Sequence, residues 1–108
     1  MNKSESLTLL INKLKQSMIA ASLWQDDMPS REALLSQQPF CCDTLRFEQW
    51  LQFVFIERIE QLIQLGKPLP ANFSIAPMAH QCWDLSKPAI KTVTLVLMDI
   101  DKLMSGES

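Results

Sequence analysis

Residues 45–66 read LRFEQWLQFVFIERIEQLIQLG. Gly66 supplies a left-handed stop at the end of this stretch, and Pro68 prevents the helix from continuing. At its start, Asp43 or Thr44 can accept the first free amide protons, and Glu48 sits where the helix dipole favours a negative charge. These signals predict a helix over residues 45–65. Its middle, Trp50 to Ile56, is apolar almost all round rather than along one stripe. A helix of that kind is central to its fold, covered on several sides by its own chain or by a partner.

Two further helices are expected around it. Leu7, Leu10, Ile11, Leu14, Met18 and Ala21 recur at three- and four-residue steps, which places them on one face of a helix over residues 4–23, with Ser4 as cap. The last helix, 87–104, starts behind Ser86 with Pro88 in its first turn, where a missing amide proton costs nothing. Ile90, Val93, Leu97, Ile100 and Met104 form its stripe. Two long connections join the three. The first holds a short helix over SREALLSQ capped by Ser30. The second, PLPANFSIAPMAHQCWDL, is extended at first, because residues before proline avoid the helical region, and then holds a short helix over Pro77–Trp83. The expected fold is all-α: a compact bundle of three long antiparallel helices with one or two short ones in the loops. A chain of 108 residues forms one such domain, spanning 1–108, and buries enough surface to need no staple.

The composition excludes several functions. Ten Lys and Arg against twelve Asp and Glu give a net charge of −2, and the basic residues are spread singly. A nucleic-acid binder carries a basic face, so no direct contact with DNA or RNA is expected. No apolar stretch reaches the roughly 18 residues of a membrane span. The N-terminus has charges among its apolar positions and no cleavage site for a signal peptide. Three cysteines, an odd number in an unexported chain, point to reduced thiols and a cytoplasmic location.

The side chains that could carry chemistry do not converge. Zinc takes four nitrogen or sulfur ligands, from pairs spaced by two to four residues. Cys41-Cys42 and His80-x-Cys82 both depart from that spacing, and bundle geometry separates the two loops. The thiols therefore read as small apolar groups, His80 as a loop residue bonded to backbone, and no cofactor or metal is expected. Asp99 and Asp101 point in different directions on their helix. Arg58, four residues after Val54 and eight after Trp50, is placed on the buried face, where a charge must be paired; Asp43 or a loop carbonyl is the expected partner. Aromatic side chains crowd the loops and the central helix, a surplus that a partner protein or a second copy of the chain could cover.

The run TLRFEQWLQFVFIERIEQLIQLGKPLPANFSIAP, residues 44–77, together with Leu23-Trp24 and QPFCCDT, resembles the YqcC-like family of small bacterial proteins. The similarity extends over about residues 7–104. It implies a compact all-α bundle. Members are encoded beside tRNA pseudouridine synthase C, and the family sometimes carries that enzyme's name. The activity itself does not transfer, because a pseudouridine synthase needs a catalytic aspartate in a much larger α/β domain with a basic RNA channel. In this family apolar residues often stand where this chain has Cys41 and Cys42, and aromatics follow the Ala-Pro that is here Ala76-Pro77, where this chain has Met78 and Ala79.

The expectation is a non-enzymatic interaction protein or accessory factor, with tRNA pseudouridine synthase C as its partner. Its contact surface would be built by Trp24, Phe40, Asp43, Trp50, Arg58, Pro70 and Pro77, from the first loop, the central helix and the PLP and IAP segments. The alternative is a small-ligand-binding regulatory module with an aromatic cleft near Trp50 and Arg58. Replacing Cys41 and Cys42 together by alanine or serine is expected to leave the fold intact by circular dichroism. Metal in the purified protein that disappears in this variant would contradict the assignment of both thiols to packing.

Overall fold

The computed structural model describes residues 3–35, 45–69 and 74–105. Its elements are helix α1 (Lys3–Ala20), the single turn α2 (Arg31–Leu34), a continuous helical run over residues 47–64, the short helix α5 (Ala76–Cys82) and helix α6 (Pro88–Met104). The central run has three parts: α3 (Phe47–Trp50), a stretch of wider turns with i→i+5 hydrogen bonding (Leu51–Ile56), and α4 (Glu57–Gln64). The all-α reading holds.

α1 packs most extensively on α6. Leu7, Ile11, Leu14 and Met18 of α1 are buried against Val93, Val96, Leu97, Ile100 and Met104 of α6. Both stripes follow the helical repeat read from the sequence, since burying one face of an amphipathic helix is what stabilises it in water. Leu51, Phe55, Ile56 and Ile59 of the central helix and Ile75, Ala76 and Ala79 around α5 complete the core. α1 and the central helix run antiparallel: Lys15 pairs with Glu60, while Gln25, further along, meets Gln52, further back.

The helix ends explain where the boundaries differ from expectation. α1 stops at Ala20 because Ser22 takes a left-handed conformation (φ 60°). The Ser22 amide then bonds to the Ile19 carbonyl and the Leu23 amide to the Met18 carbonyl, a glycine-type C-cap made without glycine. Gly66 ends α4 in the same way, with φ 66° and the Lys67 amide on the Leu62 carbonyl. Ser30 caps α2 as expected, its hydroxyl accepting from the Ala33 amide at 3.1 Å. Ser86 does not cap α6; Lys87 flanks that helix, and Ser86 is engaged by the Asp84 carboxylate, which accepts from its amide and hydroxyl at 3.0 and 2.6 Å.

The start of the central helix also departs from the sequence reading. The flanking residue is Arg46, whose amide donates to Gln49 Oε1 at 2.8 Å. Asp43 and Thr44, expected to cap this helix, lie outside the described residues, as do Phe40, Cys41, Cys42 and Pro70. The helix is not covered on all sides. Leu51, Gln52, Phe55 and Ile56 are buried, whereas Phe53 and Val54 are half-buried. The wide turns bring residues five apart onto one face: Trp50 stacks on Phe55 with ring centroids 5.7 Å apart, a pair that an ordinary α-helix would hold about 140° apart.

α5 is held from outside. It has no side-chain cap of its own; instead Asp101 of α6 accepts from the Ile75 amide at 2.8 Å and, through Oδ2, from the Ala76 amide at 2.8 Å. Asp99 is exposed and Asp101 half-buried, so the two carboxylates do not share an environment. Burial raises the Asp101 carboxyl above the usual 3.8, against the amide bonds from Ala76 and Ile75, which lower it. Its folded pKa is thus above its unfolded one. The pH-linked part of the group's contribution to stability is full below the unfolded value and is lost as pH rises through the folded value, while its bonds to the Ile75 and Ala76 amides remain. Asp101→Ala is expected to cost about 1–2 kcal/mol in urea unfolding. Relative to Asp101→Asn, the wild type should lose stability as pH is raised from about 3 to about 7.

Candidate functional site

A cleft of 340 Å³ opens where the start of the central helix meets α5. Leu45, Arg46, Phe47 and Glu48 form one wall, and Met78, Cys82 and Trp83 the other. Each wall is placed by a specific interaction. The bond from the Arg46 amide to Gln49 starts α3, and the Asp101 carboxylate sets α5. Phe47 is buried and contacts Trp83 in a tilted pair at 5.0 Å. It also stacks with Trp50 at 6.1 Å, so Trp83, Phe47, Trp50 and Phe55 form one row of rings. Such offset and tilted pairs each contribute about 0.5–1.5 kcal/mol beyond the area they bury.

Glu48 joins the two walls. Its Oε1 accepts from the Trp83 indole N–H at 3.3 Å, and its Oε2 lies 3.7 Å from Nε of Arg46. The titratable groups lining the cleft are therefore Arg46, Glu48 and Cys82. Cys82 and His80 are both exposed on α5, so His80 is a helix residue and not a loop one. Among the described residues, no group of three His, Cys, Asp or Glu side chains is placed to hold a metal.

A second junction attaches the first connection to the central helix. Gln52 is buried (6% exposed) although polar. Its Oε1 accepts from the Gln25 amide at 3.0 Å and its Nε2 donates to the Gln25 carbonyl at 2.7 Å, so one side-chain amide satisfies one whole peptide unit. Gln49 Nε2 adds a bond to the Gln25 side chain at 3.2 Å.

The structure brings some expected site residues together and parts others. Trp24 is half-buried and lies with Lys15, Gln52 and Phe53 in a separate hollow further along the central helix. Trp50 is half-buried in the ring row, and Pro77 is exposed in the first turn of α5. Arg58 is exposed, which corrects the expectation of a buried and paired charge. At 3.6 residues per turn, eight positions leave a side chain about 80° from its starting direction, and Trp50 itself is only half-buried. Among the described residues, the cleft above is lined by Phe47 and Trp83 and not by Trp50 or Arg58. The tie between the first connection and the central helix exists, but Gln52 makes it and not Arg58.

The chain belongs to the DUF446 family, described as tRNA pseudouridine synthase C, which matches it over residues 6–103. The uncharacterized protein YqcC of Escherichia coli (strain K12) is 27% identical over 108 residues, covering 100% of this chain and 99% of that protein. An uncharacterized protein of Haemophilus influenzae is 42% identical over 71 residues, 66% of this chain and 67% of the other. A Pectobacterium carotovorum subsp. carotovorum protein named tRNA pseudouridine synthase C is 26% identical over 83 residues, which cover 77% of this chain but 22% of that protein. The solution NMR structure of Escherichia coli YqcC matches the present fold with a TM-score of 0.85 at 27% identity, covering 100% of this chain and 92% of that one. The YqcC-like resemblance and its all-α bundle are thus established. No described helix is long and apolar enough to cross a membrane.

Gln52→Leu keeps the side-chain bulk and leaves the Gln25 N–H and C=O without their partner. The expected cost is about 1–3 kcal/mol in urea unfolding. Amide exchange at Gln25 should become fast in the variant; retained protection there would show that Gln52 is not the tie.

Proposed function

We propose that this chain is a non-enzymatic, cytoplasmic interaction domain that works with tRNA pseudouridine synthase C. One observation carries the reading. Escherichia coli YqcC aligns with this chain over 99% of its own length, whereas the Pectobacterium protein that bears the synthase's name aligns over 22% of its length. The same domain thus stands alone in one relative and forms part of a longer, synthase-named chain in another. Joining two modules in one chain replaces a bimolecular encounter by a high effective concentration, which benefits modules that act together. The net charge of −2 supports a protein partner over direct RNA contact. In the cleft, Glu48 accepts from the Trp83 indole and faces Arg46, an arrangement that suits structure better than acid–base work. Three cysteines fit a reducing compartment.

A second reading, a small-ligand-responsive module, is favoured by the 340 Å³ aromatic cleft, within the roughly 300–1,000 Å³ of ligand pockets. A metabolite that raises the melting temperature by binding the native state would decide for it. For the first reading, the purified chain and the synthase of the same organism are expected to co-elute in size exclusion. Deleting the chain's gene should lower pseudouridine at the synthase's tRNA position. Separate elution together with unchanged tRNA would overturn the partnership.

A further inference from the structure

The cleft at Phe47 and Trp83 has three properties that select among occupants. Its lining is aromatic on both walls, with the two rings 5.0 Å apart. Its 340 Å³ lies at the small end of the roughly 300–1,000 Å³ of ligand pockets, room for a large side chain more readily than for a cofactor. Its rim carries an exposed cation. The Arg46 side chain is 70% exposed, and its Nε lies 3.7 Å from Glu48, beyond hydrogen-bonding distance. Glu48 meanwhile accepts from the Trp83 indole, so the guanidinium fork keeps donors for a carboxylate from outside. Among the described residues, no buried side-chain nitrogen or oxygen lacks a partner, so no polar group waits inside for a polar ligand.

Aromatic pockets with a neighbouring arginine are where interface energy concentrates. The exposed Leu95 and Met98 of α6 share a helix face but do not line the cleft at Phe47 and Trp83, and apolar residues scattered on a surface need no explanation.

We infer that this cleft is the docking point for tRNA pseudouridine synthase C. One large apolar side chain of the synthase sits in the cleft against Met78 and the Trp83 ring, over the contact that Trp83 makes with Phe47, and a carboxylate of the same segment meets Arg46. This assignment rests on the partnership proposed above, and its test separates the two. The full chain is titrated into the purified, full-length synthase by calorimetry, as wild type and as three variants. Arg46→Glu reverses the rim charge at an exposed position, and Cys82→Arg obstructs the cleft from its exposed edge. Each is expected to raise Kd by about tenfold or more with helix content and melting temperature retained. Lys91→Glu, exposed on α6, should bind as wild type does.

Wild-type binding with both cleft variants unchanged would overturn the cleft assignment and leave the partnership standing. An equal loss in Lys91→Glu would also overturn it, since a diffuse charge effect would then explain the result. No binding by the wild type would overturn both. Self-association that the two cleft variants abolish would give the cleft to a second copy of the chain, against the inference.

Discussion

The rest of the site depends on a carboxylate that α6 lends to α5. A helix of seven residues (Ala76–Cys82) is far below the length at which helices form unaided in water. Ile75, its flanking residue, offers no capping oxygen. Asp101 supplies one from across the core, and in doing so fixes where Met78, Cys82 and Trp83 stand relative to Phe47. The geometry of the cleft is thus decided on the last helix, far along the chain from its central-helix wall.

The central helix contributes the second constraint. Its wide turns over Leu51–Ile56 change the angular relation between the two ends. Ile59 and Phe55 face the core, while Trp50 turns back over Phe55 and continues the row of rings toward Phe47 and Trp83. Such wide turns occur within α-helices mostly as local departures, frequently near functional sites. Here one lies directly between the core-facing end of the helix and the cleft.

Much of the scaffold was legible from residue spacing. The stripes of α1 and α6, the Ser30 cap and the Gly66 stop are local signals, and each depends on residues a few positions apart. What stayed hidden is tertiary. Nothing near Asp101 in the sequence signals that its carboxylate will meet the amides of Ile75 and Ala76. Gln52, a single polar residue in an apolar run, was a visible anomaly, since a polar group among buried ones needs a partner, but its partner is a backbone unit that no pattern identifies. Arg58 failed for another reason: a segment apolar on all sides gives no phase from which to assign a buried face. Of the expected contact residues, Trp50 lies in the ring row and Pro77 on α5, whereas the cleft itself is lined by Phe47 and Trp83, which the expected contact surface did not include.

The Gln52–Gln25 junction differs in kind from an ion pair. Both partners are neutral amides, one from a side chain and one from the backbone. Salt screens interactions between charges and protons compete for carboxylates, but neither acts directly on an amide pair. The first connection therefore stays attached to the central helix across ionic strengths that would loosen the contact between Lys15 and Glu60. Salt can thus act on the charged surface of the domain while the framework beneath keeps its shape.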